Sequence, residues 1–308
     1  MAGHASLLRM WQRRRIAAYG ICHDEAGRIL LVRGAVDDAR GVWALPGGGV
    51  GHGEHPRQAI VREFAEETGL VAEIVALRDV VADLAVNPYR QEVVHSDRVL
   101  YDVKVTGGEL RHEIDGSCDL AGWFEPAEAA QLPLLPYAAR LLDVPVTDLP
   151  EIRAAEPVRD PGATRMQRFA AYGITTDPAG RVLLTRIAAP YPGAGTWHLP
   201  GGGTDFGEQP TEGLLRELVE ETGQRGRVTG LRAVTHNHNP RALGPEGRPM
   251  NWHTVRALYR VAVDEPGTPS VLEAAGGSTA EARWVTRVDL AKLPVNGFAK
   301  TAIAHHLG

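Results

Sequence analysis

The sequence predicts an α+β protein built from two copies of one domain. Three observations carry this: an internal repeat, short β-rich runs separated by turn residues, and one prominent helix in each copy. RIAAYGICHDEAGRILLVR at 15–33 returns as RFAAYGITTDPAGRVLLTR at 168–186, an offset of 153. VWALPGGGVGHGEHPRQAIVREFAEETGL at 42–70 returns at 196–224 with the offset at 154, so one residue has been inserted between the two segments. Trp123 and Trp284 still correspond, at offset 161. The repeat sets an N-terminal domain at 1–147, a Pro- and charge-rich linker at 148–164 and a C-terminal domain at 165–308. Two copies are too few for a solenoid, so the chain reads as a tandem duplication.

Within each copy, Ile29 to Val32, Val99 to Val105 and Ala257 to Val263 have the β-branched and aromatic content of strands. Asp24 to Gly27 and Asp177 to Gly180 suit hairpin turns. The helix of the first copy begins at Pro56, a favoured first helical residue, and stops at Gly69, a favoured C-terminal cap; Pro210 and Gly223 frame its partner. At about 100° per residue, Ile60, Val61, Phe64 and Ala65 form an apolar arc beside an acidic arc of Glu63, Glu66 and Glu67. The second helix repeats the design, with Leu214, Leu215, Leu218 and Val219 beside Glu217, Glu220 and Glu221.

Composition bounds the function. Apolar residues make up 44% and charged residues 23%, and the 35 glycines and 21 prolines are too few for a low-complexity chain, so the protein is globular. A net charge of −5 gives no global pull toward nucleic acid or an anionic membrane, so any anionic substrate is handled locally. Cys22 and Cys118 are too few for a disulfide framework, which points to a reducing cytoplasm. No run is long and apolar enough for a membrane helix, and the first residues run apolar then basic, the reverse of a secretory signal. Arg13, Arg14 and Arg15 are either a solvated lead-in to a strand or a contact to phosphate or nucleic acid, with the lead-in the simpler account.

Like charges three and four apart cost a helix about 0.2–0.5 kcal/mol per pair, a cost a divalent cation removes. Hard oxygen donors in such a cluster suit Mg²⁺ or Mn²⁺, whose remaining positions take waters and substrate phosphates. A solvated Glu-rich face is the plain alternative. It fits poorly, because the acidic face recurs beside an arginine (Arg62, Arg216), behind a glycine triplet (47–49, 201–203) and at one distance from a leading glutamate (Glu54, Glu208). Glycines let backbone approach a ligand closely.

These residues resemble the Nudix box, G-x5-E-x7-R-E-U-x-E-E-x-G-U, with U apolar. The first copy reads Gly48, Glu54, Arg62, Glu63, Phe64, Glu66, Glu67, Gly69, Leu70; the second reads Gly202, Glu208, Arg216, Glu217, Leu218, Glu220, Glu221, Gly223, Gln224. Gln224 is the one departure, at a packing position. The resemblance implies two tandem α/β/α sandwich domains with mixed sheets, and Mg²⁺- or Mn²⁺-dependent hydrolysis of a diphosphate linkage in a nucleoside diphosphate derivative. Glu63, Glu66 and Glu67, with a backbone carbonyl of Gly47 or Gly48, would hold metal in the first copy. Glu217, Glu220 and Glu221, with Gly201, would do so in the second. Glu66, Glu67, Glu220 and Glu221 would serve the chemistry, while Arg62 and Arg216 orient the glutamates.

The family often adds a carboxylate from a loop past the box; Glu113 and Glu273 are either that group or exposed loop residues. Arg33 and Arg186 either contact phosphate or are strand-end surface charges. His236, His238 and His253 suggest a metal- or nucleotide-contacting loop, yet their spacing fits no standard zinc motif and an ordinary polar loop is simpler. Pro240, sixteen residues after Gln224, stands where ADP-ribose-cleaving members tend to carry proline. Neither box has lost a glutamate, so two competent sites are expected. The alternatives are one catalytic copy with the other as a ligand-sensing or pseudo-dimer scaffold, and a non-nucleotide substrate such as an isoprenoid diphosphate. A homodimer is a further expectation of the resemblance. A nucleotide-responsive DNA regulator is disfavoured by the acidic charge and by the lack of a helix-turn-helix pattern after either copy.

Overall fold

The computed structural model describes residues 10–35, 39–87, 91–113, 116–144, 165–243, 249–273 and 277–307. The expected linker at 148–164 lies outside the described residues. The chain divides into two compact units: Met1–Gln167 with His236–His253, and Arg168–Thr235 with Thr254–Gly308. By compactness, 236–253 therefore groups with the first unit rather than with its own sequence repeat.

In the first unit, β1 (Trp11–Cys22) lies at the centre of a sheet ordered β4 (Gly47–Gly49), β1, β6 (Glu92–Gly108), β5 (Leu70–Asn87). It pairs parallel with β6, Tyr19 opposite Leu100, and antiparallel with β4, Tyr19 opposite Gly47. A second sheet, β3 (Trp43–Ala44), β2 (Ile29–Gly34), β7 (Cys118–Phe124), is antiparallel throughout. The turn at Asp24 to Gly27 leads from β1 to β2, closed by Gly27 N–H donating to the Asp24 carbonyl at 3.0 Å. Arg13 pairs with Glu92 and Arg14 with Asp97 across β1 and β6, so two of the three leading arginines are tied to the sheet.

Side chains alternate along β1 and set the layers. Ala17, Tyr19 and Ile21 join Leu31, Trp43, Leu45, Tyr137 and Ala138 in one core, which seats the short helices α2 (Pro126–Ala129) and α3 (Pro136–Leu141). On the other face, Gly20 leaves room for Ile60 and Phe64 of α1 (Pro56–Thr68). The first unit is thus helix, sheet, helix. Gly69 caps α1 in the left-handed conformation, and His55 caps its start, Nδ1 accepting from Arg57 N–H.

The second copy of the repeat follows the same plan. Its sheet runs β10 (Trp197–His198), β9 (Val182–Ile187), β8 (Arg165–Thr176), β13 (Pro249–Ala262), β12 (Arg227–Leu243), with β11 (Gly201–Gly203) on β8 and β14 (Thr279–Val285) on β9. Ile174, Leu184, Trp197, Leu199 and Leu258 pack with Ala299 and Ile303 of α6 (Gly297–His306). The short helix α5 (Arg287–Leu290) precedes α6. Gly173, on the other face, lies against Leu214 of α4 (Pro210–Thr222).

Two details of the helical arcs differ from expectation. Val61 is exposed, and Ala59 takes the inward position instead. Glu67 and Glu221, placed on the acidic arc, are buried at 4% exposure. Each is three residues past Phe64 or Leu218, about 60° round the helix, and so turns toward the sheet.

Candidate active site

Each box arginine is the hub of a carboxylate network. Arg62 donates from Nε and Nη2 to the two oxygens of Glu54, at 3.1 and 3.0 Å. Its Nη1 donates to Glu63 at 2.8 Å and Glu66 at 3.2 Å, and Nη2 also reaches the Gly49 carbonyl. Arg216 does the same with Glu208 (3.0 and 3.1 Å), Glu217 (3.2 Å), Glu220 (3.1 Å) and the Gly203 carbonyl. The fork of donors on one planar group fixes three glutamates at once, which a lysine could not do. The bidentate bond to the leading glutamate holds both guanidiniums firmly charged.

The buried glutamates are held separately. Glu67 accepts from Gly47 N–H at 2.8 Å and from the Cys118 thiol at 3.0 Å. Glu221 accepts from Gly201 N–H at 2.8 Å and from the Thr279 hydroxyl at 2.7 Å. Gly47 and Gly201 have φ of 138° and 126°, and a Cβ on either would stand 2.2 Å from a strand carbonyl, of Ala18 or Ala171. Only glycine brings the N–H there. The next glycines clear space too: a Cβ on Gly48 would lie 2.6 Å from the Glu63 carboxylate, and on Gly202 2.7 Å from that of Glu217.

Burial pushes the Glu67 and Glu221 carboxyls up to about 8, from an ordinary 4.5. The two hydrogen bonds on each oppose the rise, and the charges of Glu63 and Glu113, or of Glu217 and Glu273, add to it. Burial likewise raises Glu217. In the second unit, Glu217, Glu221 and Glu273 each offer an oxygen, all within 4.8 Å of one another. It is the one such metal-capable group among the described residues. Three hard oxygen donors that repel one another when ionised fit Mg²⁺ or Mn²⁺.

The NUDIX domain family model matches residues 13–144 and 166–305. The chain belongs to the Nudix family. Among Nudix relatives, the ADP-ribose pyrophosphatase of Methanocaldococcus jannaschii is 34% identical over 103 residues, which cover 33% of this chain and 58% of that protein. The CTP pyrophosphohydrolase of Escherichia coli is 35% identical over 137 residues, 42% of this chain and 88% of that protein. The chain therefore spans little more than half the length of the archaeal relative and most of the bacterial one. The solution structure of the E. coli ORF135 protein matches with 29% identity and a TM-score of 0.33, covering 43% of this chain and 89% of that one.

The Nudix glutamates thus divide by environment. Glu66 and Glu220 are half exposed on the arginine hub, whereas Glu67 and Glu221 sit at the bottom of the site. Glu113 accepts from Cys118 N–H at 3.0 Å, and Glu273 from Thr279 N–H at 2.9 Å, so both loop carboxylates are turned to the start of a strand. Arg33 pairs with Asp119 and Arg186 with Glu281 on the neighbouring strand. In the first unit, His236, His238 and His253 are gathered with His52 and His55. Ring centroids lie 4.8–6.0 Å apart, and Asn251 Oδ1 accepts from Nε2 of both His52 and His238.

Sequence reasoning missed Cys118 and Thr279, and missed that His52 and His55 join the other histidines. A signal for the first pair existed: the offset of 161 that relates Trp123 to Trp284 also relates Cys118 to Thr279.

Proposed function

We propose that the chain is a Mg²⁺- or Mn²⁺-dependent Nudix hydrolase that cleaves the diphosphate linkage of a nucleoside diphosphate derivative, an ADP-ribose-like compound or a nucleoside triphosphate. The observation that carries this is the duplicated arrangement of an arginine-held glutamate pair above a buried glutamate anchored on a glycine N–H. The relatives' names, an ADP-ribose pyrophosphatase and a CTP pyrophosphohydrolase, support the substrate class.

Glu63, Glu66 and Glu67 would hold the metal in the first unit; Glu217, Glu220 and Glu221 would do so in the second, with Glu273 beside them. The bound ion would neutralise diphosphate charge and lower the pKa of the attacking water. Arg62 and Arg216 hold the glutamates in register through their hydrogen bonds. Once the buried carboxylate is ionised, the glycine N–H stabilises its charge. Among the described residues no helix is long and apolar enough to cross a membrane, and both cysteines are free and buried. A reducing cytoplasmic setting belongs to the same proposal.

The test is release of phosphate and nucleoside monophosphate from a panel of nucleotide and non-nucleotide diphosphates, with Mg²⁺ or Mn²⁺ and with EDTA. Turnover of a nucleotide class that EDTA abolishes is expected. Turnover confined to an isoprenoid diphosphate would overturn the substrate assignment, and turnover unaffected by EDTA the metal. A second reading, one catalytic unit beside a scaffold, draws on the three-carboxylate group found in the second unit. Under it, Glu220→Gln alone would remove all turnover and Glu66→Gln none.

A further inference from the structure

Cys118 opens β7 and Thr279 opens β14, equivalent positions in the two copies. Each residue bonds two carboxylates at once. The backbone N–H of Cys118 donates to Glu113 Oε2 at 3.0 Å while its thiol donates to Glu67 Oε1 at 3.0 Å. The backbone N–H of Thr279 donates to Glu273 Oε2 at 2.9 Å while its hydroxyl donates to Glu221 Oε1 at 2.7 Å. One residue therefore ties a loop carboxylate to a helix carboxylate that the chain brings from 46 and 52 positions away. Both side chains are buried, so no bulk water competes for the bond.

The two donors are chemically unequal. A hydroxyl is a strong donor, and its short bond leaves the Glu221 carboxylate little freedom. A thiol is a weak donor with a larger, softer atom, and it restrains Glu67 less. Partners that orient a metal-binding carboxylate commonly change metal affinity 10–100-fold when removed.

We infer that Cys118 and Thr279 are positioning residues that set the spacing of the helix and loop carboxylates, and that the exchange of hydroxyl for thiol makes the first unit the weaker holder of a divalent cation. The inference rests on the metal-binding part of the proposed function.

The experiment is Mn²⁺ titration of the full chain, with free Mn²⁺ read from its electron paramagnetic resonance signal, which needs no substrate. Thr279 variants are measured with the first unit silenced by Glu63→Gln and Glu67→Gln. Thr279→Val is expected to weaken Mn²⁺ binding about tenfold, with Thr279→Ser within a factor of about three of the parent. Equal affinity in Thr279→Val overturns the inference, as does equal weakening in Val and Ser, which would mark a packing role. If Thr279→Val does not fold, Cys118→Thr decides in the chain silenced by Glu217→Gln and Glu221→Gln: tighter binding than Cys118 supports the inference, and unchanged or weaker binding sinks it. A parent chain that binds no Mn²⁺ would instead refute the metal reading on which the inference stands.

Discussion

Glu221→Gln separates stability from function in a way that follows directly from the site. The side chain is buried, one oxygen on Gly201 N–H and the other on the Thr279 hydroxyl. A glutamine keeps both bonds, its oxygen accepting from Gly201 and its amide donating to a rotated Thr279 hydroxyl. What it removes is a carboxyl raised by burial from 4.5 to about 8. At 1.36 kcal/mol per pH unit, that difference sets an upper bound of roughly 5 kcal/mol on the cost of the ionised form, and relaxation halves it to about 2–3 kcal/mol.

The sign follows from the raised value. The neutral form is favoured in the fold, so the contribution is intact below the unfolded value of 4.5 and is lost as pH rises through about 8. In EDTA, Glu221→Gln is therefore expected to raise Tm of the second unit by about 5–10 °C at pH 9 and by under about 2 °C at pH 5. Added Mg²⁺ should stabilise the parent and leave the variant unmoved in that unit, closing the gap. Scanning calorimetry at the two pH values is the assay. A variant destabilised at pH 9, or stabilised equally at both, would refute the reasoning.

Gly48→Ala should lower turnover of the first unit at least tenfold with little loss of fold, because its Cβ would meet the Glu63 carboxylate at 2.6 Å; kcat in a Glu220→Gln background reads it. Arg216→Ala frees three glutamates together, so apparent Mg²⁺ affinity should fall and salt should not restore it; Arg216→Lys should rescue only partly. His55 is pushed down to about 4 by burial, then by His236 and Arg57, and His253 down to about 4 by burial, then by His236, His52 and His238. Their contribution to stability is present above pH 6.5 and lost as pH falls toward 4, so His253→Asn should flatten the fall in Tm across that range; an unchanged slope would contradict this.

Much of the fold was legible because the duplication exposes it: Pro56 and Gly69 do bound α1, and Asp24 to Gly27 does turn. The helical wheel also found Glu63 and Glu66, which lie within four residues of Arg62, and the repeated spacing found Glu54 eight residues before it. It misplaced Val61 and gave no sign that Glu67 is buried, because a wheel shows spacing round an axis and not which neighbour lies along it; β4 reaches α1 on the Glu67 side. Cys118 and Thr279 were invisible for a related reason. Their role comes from strand pairing that brings β7 and β14 to the helix, a long-range contact with no local period. The histidines were seen as a loop and not as a cluster, since His52 and His55 are about 180 residues earlier.

The most direct measurement of the central claim is nucleoside monophosphate release by the parent, Glu66→Gln, Glu220→Gln and the double variant, at saturating Mg²⁺ and matched folding. The account predicts that each single variant retains turnover from its intact unit and that the double variant falls at least a hundredfold below the parent. Undiminished turnover in the double variant would place the chemistry outside these carboxylates and contradict it.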